Sequence, residues 1–278
     1  MFIKDSEIEN LIAEDVPYID LTSELLEIKE IDSKMEFFAR SEMKVSCTEE
    51  ASRIIEKLGG KVEFLAKSGT NLKKDEPILK AFGSSDSLLK AWKVSQNLIE
   101  IQSGIASQTE KLVKLAKAIN PDVQILTTRK VPPLTKKFTI KSVIVGGASP
   151  HRLGLSETIL VFKEHVELFG GFDKLITHLD SLKKKSIEKK IVIELKDTEN
   201  LEKFANFDII QFDKLAPESL SFAVSKLKSL NPNIKILSAG GINLENIQEY
   251  TATKVDGIVL SSLYYVKPKD VKVVILAV

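Results

Sequence analysis

Ile191–Ser262 reads IVIELKDTENLEKFANFDIIQFDKLAPESLSFAVSKLKSLNPNIKILSAGGINLENIQEYTATKVDGIVLSS, and the spacing of its apolar runs decides the fold. Short β-branched runs (IVIEL, DIIQF, IKILS and DGIVLSS) alternate with stretches of helical spacing such as PESLSFAVSKLKSL. Runs of this kind are strands covered on both faces, and helical crossovers between them force the strands to be parallel. Upstream, VQILTT (Val123 to Thr128) and LVF (Leu160 to Phe162) repeat the pattern. The count is six parallel strands, which falls short of a closed eight-stranded barrel. The expectation is therefore an α/β fold built as an incomplete, open TIM-like barrel.

Ligands of α/β barrels sit at the carboxyl ends of the strands, where the loops converge. Several chemistry-bearing residues fall at such ends. Arg129 and Lys130 follow VQILTT, Glu194 closes IVIEL, Asp213 follows DIIQF, and Ala239-Gly240-Gly241 follows IKILS. His151 and Arg152 come shortly after the glycine pair Gly146-Gly147. Any one arginine taken alone is most simply a surface residue. Cations fixed together at strand ends suit a ligand with several negative charges. Two successive glycines let an anion approach the backbone, and Asn243 is placed to cap the helix that follows.

The first hundred residues read as a smaller α+β module. A first helix spans Ile8 to Glu14, and AEDVPYIDLTS turns into an extended segment. Glu36 to Val45 mixes apolar and polar residues as a strand does, and Thr48 is placed to cap a helix that Gly59-Gly60 stops. KVEFLAKSGTNLKKDEPILKAFGSS alternates and turns as a small antiparallel sheet. A helix from Asp86 or Ser87 carries Trp92 on its apolar face, breaks at Ser103-Gly104, and resumes from Ile105 to Ile119. Leu134 to Val145, LTKKFTIKSVIV, is rich in β-branched residues and by propensity is strand.

Forty basic and thirty-nine acidic side chains leave a formal charge of +1 over 278 residues, so no global field favours nucleic acid or an anionic membrane. The lysine runs Lys183 to Lys185 and Lys189-Lys190 lack interleaved aromatics and suit a solvated face. A lone Cys47 excludes an internal disulfide, and no Cys/His spacing suggests zinc. The opening MFIKDSEIENLIAED carries acids where a signal peptide needs an apolar core, and no apolar run is long enough to span a bilayer. A cytoplasmic protein without membrane or nucleic-acid partners is expected.

The order TRK (Thr128 to Lys130), then a stretch closing on Gly146-Gly147, then HRLGL (His151 to Leu155) and a short apolar run resembles the signature of the quinolinate phosphoribosyltransferase family. WKVSQNLIEIQSGIAS (Trp92 to Ser107), PHRLGLSETILVF (Pro150 to Phe162) and YYVKPKDVKV (Tyr264 to Val273) are similar to its ModD branch, named after molybdate transport. The resemblance implies an N-terminal α+β sandwich domain over residues 1–103, joined by the C-terminal segment 265–278, and an open barrel over 104–264. It also implies a helix, in place of a strand, ending at the glycine pair.

The family transfers phosphoribose from phosphoribosyl pyrophosphate (PRPP) to a ring nitrogen, turning quinolinate into nicotinate mononucleotide with release of pyrophosphate and carbon dioxide. Carried over, Arg129, His151 and Arg152 bind carboxylates, and Lys130 meets the pyrophosphate or the substrate. Glu194 and Asp213 bind ribose hydroxyls and the Mg2+ that accompanies pyrophosphate. Ala239, Gly240, Gly241, Ser261 and Ser262 hold the 5′-phosphate. The active site is shared across a homodimer or a larger assembly of dimers. Lys93 stands where the family has an arginine that reaches into the partner's pocket.

The chain departs from the pattern in telling places. The family's IKDNH reads VFKEH here (Val161 to His165), so Phe162 replaces a substrate-contacting lysine, with Lys163 expected on the opposite face of the strand. Lys93 keeps a charge but loses the bidentate fork, Lys196 replaces an acid, and Ser261 replaces a glycine. These changes favour a transferase with an altered, less anionic acceptor. The competing reading is a ModD-type accessory protein that holds an oxyanion or nucleotide without turnover.

Overall fold

The computed structural model describes all 278 residues, which divide into two compact units. The first comprises Met1–Glu110, Val131–Gly147 and Tyr264–Val278; the second comprises Lys111–Lys130 and Ala148–Leu263. No helix is long and apolar enough to cross a membrane.

The first unit is built on a four-stranded antiparallel sheet in the order Val271–Ala277, Asp32–Ala39, Pro77–Ser84, Lys61–Leu65. In Asp32–Ala39 the even alternation of side chains buries Ser33, Met35, Phe37 and Ala39, the period expected of a sheet with one face on a core. Ile54 and Ile55 of the helix Thr48–Lys57 belong to that same core. Val271–Ala277 forms an edge strand of this sheet, paired from Ser33 opposite Ala277 to Ala39 opposite Val271.

Three local expectations are corrected here. Cys47, at φ 60, occupies the cap position of the helix Thr48–Lys57, and Thr48 is its first residue. Cys47 is fully buried, and burial followed by the nearby Glu50 carboxylate pushes its thiol up to about 12. The segment after the first helix, which runs Asp5–Asp15, forms a second short helix, Leu21–Leu25. Asp20 caps it by accepting from the amides of Thr22 and Ser23.

The third correction concerns Ser103-Gly104, which does not interrupt the long helix. Ser85–Ile119 runs unbroken for 35 residues. A Cβ on Gly104 would lie 2.7 Å from the Lys267 carbonyl oxygen, so the glycine serves close backbone packing. Ser103 Oγ accepts from the Ser46 amide at 3.1 Å. Residues that look like breakers are contact points, and packing outweighs a propensity cost of about 1 kcal/mol for a mid-helix glycine.

Lys136–Val145 is helical, as the family resemblance implied and against its β-branched composition. Phe138, Ile140 and Val143 are buried, Ser142 Oγ lies 2.8 Å from Ser46 Oγ, and Lys141 pairs with Glu49 at 2.8 Å and Glu50 at 2.6 Å. The side chains that point inward are matched to a helix period and have no strand partner.

The second unit is a curled parallel sheet, a half-barrel. Its strands are β1 (Gln124–Thr127), β2 (Ser149–Pro150), β3 (Ile159–Val161), β4 (Ile191–Leu195), β5 (Ile209–Asp213), β6 (Lys235–Ala239) and β7 (Gly257–Leu260). They lie in the order β2-β1-β7-β6-β5-β4-β3. The seventh strand, absent from the sequence count, is β2, whose two residues are too few to show a period. Ile191, Ile193, Ile210, Phe212, Ile236 and Ile258 alternate onto the face that is completely buried. Leu126, Ile209, Leu237, Ala239 and Val259 form a separate apolar cluster on the concave face.

Candidate active site

Register carries the site residues onto one face. Gln211 on β5 pairs with Glu194 on β4 and Leu237 on β6, and Asp213 pairs with Ala239. Side chains two apart on a strand share a face, so Glu194, Gln211 and Asp213 all project into the concavity with Leu237 and Ala239. Leu160 pairs with Val192, which brings Phe162 to the same side as Glu194. Leu126 pairs with Ser149, which does the same for Thr128 and His151. These positions lie at the carboxyl ends of the strands.

One group is cationic. Arg152 is only 7% exposed and makes no hydrogen bond or ion pair within the chain; its guanidinium carbon lies 5.7 Å from the centre of the Phe162 ring. Burial, and then the charge of Arg129, push it below its ordinary value against the opposing pull of the Glu157 carboxylate, although an arginine so placed keeps its proton. The backbone N–H of Lys130 donates to Thr128 Oγ1 at 3.1 Å. The His151 N–H donates to the Thr127 carbonyl at 3.0 Å, and burial, then Arg152, hold its imidazole below the usual range and so neutral at pH 7. Phe162 stacks on His165 and donates its N–H to His165 Nδ1 at 3.0 Å. The strand ends at Val161, so Lys163 opens the helix Lys163–Phe169 instead of occupying the strand's opposite face.

The other group is rich in acceptors. Gln211, 4% exposed, donates from Nε2 to Glu194 Oε2 at 2.7 Å, while its Oε1 is buried without a partner. Burial raises the Glu194 carboxyl above its ordinary value; the Gln211 bond opposes this, and Asp213 adds to it. A Cβ on Gly240 would stand 2.5 Å from Asp213 Oδ1, so the glycine is needed for the aspartate to lie against the Ala239–Gly241 loop. Gly241, at φ 75, faces open space.

Ser262 Oγ donates to the Ile242 carbonyl at 3.0 Å, while Ser261 makes no hydrogen bond within the chain. The helix after this loop is the short Ile247–Ala252, whose cap position is held by Asn246 without a side-chain capping bond. Asn243 sits upstream, accepting from the Glu245 amide and donating its own N–H to Asn246 Oδ1, so it does not cap the helix as expected.

The half-barrel encloses a cavity of about 600 Å³ toward the amino ends of its strands, lined by Leu126, Val192, Ile209 and Leu237, with Lys235 and Lys254 at its edge. Of the site residues expected from the sequence, His151 alone lines it. Lys93 belongs to the first unit, where its ammonium donates to Gln96 Oε1 at 3.3 Å and lies 4.2 Å over the Trp92 ring. Gln211, which the register sets beside Glu194, was not singled out in the sequence. A glutamine inside the apolar run DIIQF was the available signal.

The model described as quinolinate phosphoribosyl transferase, N-terminal domain, matches residues 20–103, and the one described as its C-terminal domain matches residues 105–274. The chain belongs to the quinolinate phosphoribosyl transferase family. A Rhodobacter capsulatus relative, provisionally named pyrophosphorylase ModD, is 38% identical over 248 residues, covering 88% of this chain and 94% of that protein. A relative from Archaeoglobus fulgidus, provisionally named a carboxylating nicotinate-nucleotide pyrophosphorylase, is 32% identical over 202 residues, or 71% and 76% of the two chains. The solved nicotinate-nucleotide pyrophosphorylase of Francisella tularensis superposes with a TM-score of 0.88 at 25% identity, covering 99% of this chain and 98% of that one. This quinolinate phosphoribosyl transferase family member thus has the half-barrel and the smaller N-terminal domain that the likeness implied.

Proposed function

We propose that the protein transfers phosphoribose from PRPP to the ring nitrogen of an aromatic heterocyclic acid less anionic than quinolinate. The observation that carries this is Arg152, a buried guanidinium without a hydrogen-bonded carboxylate, lying against the Phe162 ring and near Arg129, with only the more distant charge of Glu157 to offset them. Leaving such a charge unpaired is costly, and a carboxylate ligand relieves the cost. An aromatic ring where the family has an ammonium offers a stacking surface to a planar acceptor and one cationic contact fewer.

In this scheme Arg152 and Arg129 hold the acceptor's carboxylate, Phe162 packs on its ring, and neutral His151 supplies a hydrogen bond. Lys130 meets the pyrophosphate. The ring nitrogen forms a bond to the anomeric carbon as the carbon–oxygen bond to pyrophosphate breaks. Glu194 and Asp213 accept from ribose hydroxyls, and Gly240, Gly241 and Ser261 receive the 5′-phosphate.

Two carboxylates suit a magnesium ion that arrives with pyrophosphate, because Mg2+ is commonly held by one or two carboxylates plus substrate phosphates. No group of three or more His, Cys, Asp or Glu gathers to hold a metal unaided. Bound there, the ion neutralises leaving-group charge. The same proposal includes a homodimer, with Lys93 of one copy directed at the other's pocket.

A panel of pyridine and other nitrogen-heterocycle acids, incubated with PRPP and Mg2+ and scored for pyrophosphate release, tests it. Turnover is expected with a monocarboxylate in preference to quinolinate; equal or better use of quinolinate overturns the altered-acceptor reading. Phe162→Lys restores a cationic contact and is expected to shift the preference toward the dicarboxylate by about tenfold, the value of one charge-assisted hydrogen bond. Oxyanion binding without turnover makes the contrary prediction of no pyrophosphate release with any acceptor.

A further inference from the structure

We propose that Lys214 is a phosphate-binding residue of this site, contacting the phosphate monoester of the sugar beside Gly240 and Gly241. The inference rests on the phosphoribosyl reading above and adds to it a residue that was not singled out in the sequence.

Lys214 directly follows Asp213 at the carboxyl end of β5. It has φ 59, in the left-handed region that glycine enters freely and a lysine only against steric resistance. Its N–H donates to the Ala239 carbonyl at 2.7 Å, which fixes the turn against the next strand. The side chain then runs alongside the glycine loop: a Cβ on Gly240 would stand 2.6 Å from Lys214 Cγ, as well as 2.5 Å from Asp213 Oδ1. The missing Cβ of Gly240 therefore makes room for two neighbouring side chains of opposite charge.

Lys214 is exposed, and its ammonium makes no hydrogen bond or ion pair within the chain. Glycine or asparagine would occupy this backbone conformation at less cost. A lysine kept there, unpaired and laid along an open glycine loop, has the character of strain retained for ligand binding. The Gly241 backbone beside it is unobstructed, which leaves space for a phosphate between loop amides and ammonium.

The test is calorimetric titration of ribose 5-phosphate and, separately, of pyrophosphate with Mg2+ into the wild-type protein, Lys214→Gly and Lys214→Arg. Lys214→Gly is expected to raise Tm by about 2 °C, because strain is released. The same change is expected to weaken ribose 5-phosphate binding by about tenfold and pyrophosphate binding by less than about twofold. Lys214→Arg should retain most of the ribose 5-phosphate affinity. The proposal is overturned if Lys214→Gly binds ribose 5-phosphate as the wild type does, or if pyrophosphate binding is the one that falls. Wild-type protein that binds neither compound removes the phosphoribosyl reading as well; wild-type binding that Lys214→Gly leaves unchanged removes only the role of Lys214.

Discussion

Arg152→Ala is expected to lower kcat/KM for phosphoribosyl transfer by about 10²–10³-fold with no loss of thermal stability. The two halves of this result come from one feature. In the free protein the guanidinium is almost wholly buried, hydrogen-bonds no carboxylate, and lies near a second arginine whose repulsion the charge of Glu157 offsets only in part. Its removal takes away a desolvated, repelled charge, and this offsets the packing it makes on the Phe162 ring. In the proposed complex the same residue would be the main fixed charge facing the acceptor's carboxylate, so truncation would cost orientation as well as affinity. Initial-rate kinetics with the best acceptor from the panel, together with a thermal melt, provide the check. A drop in Tm of several degrees with little change in kcat/KM would assign Arg152 to the structure and remove the main support for an anionic acceptor.

The sequence exposed those parts of the molecule where one local force acts alone. Strands β4, β5, β6 and β7 are short apolar runs buried on one complete face, and no competing pattern obscures them. Glu194 and Asp213 were visible because a carboxylate at the end of such a run has few structural reasons to be there. The missed features depend on distant chain. Gly104 looks like a helix breaker until the backbone at Lys267 packs against it. β2 becomes a strand only through pairing with Leu126 and Thr127. Gln211 acquires its meaning from Glu194 across the register, and Lys214 from a positive φ that no composition reveals.

The segment Leu134 to Val145 shows most directly how tertiary contacts override propensity, and it yields the second large effect. Lys141→Met is expected to destabilise the protein by about 3 kcal/mol at pH 7. Lys141 is 14% exposed at its side chain and Glu50 6%, so removing the ammonium leaves a buried carboxylate uncompensated. Glu49, the second partner, is 40% exposed and is taken over in part by solvent, which places the cost at the low end of the range for broken buried pairs.

The effect depends on pH. Burial tends to raise the Glu49 carboxyl, but hydrogen bonds from Lys141 and Ser68 overcome it and hold the group down at about 2. A carboxylate depressed on folding contributes stability that is complete above its ordinary value near 4.5 and is lost as pH falls toward 2. The difference between wild type and Lys141→Met should accordingly be full at pH 7 and shrink at pH 3. Urea unfolding at the two pH values measures this, and equal midpoints at pH 7 would show that the ion pair contributes nothing. Without Lys141, the β-branched residues of Lys136–Val145 lose a principal contact tying their helix to Thr48–Lys57, and their intrinsic preference for extended backbone then goes less opposed.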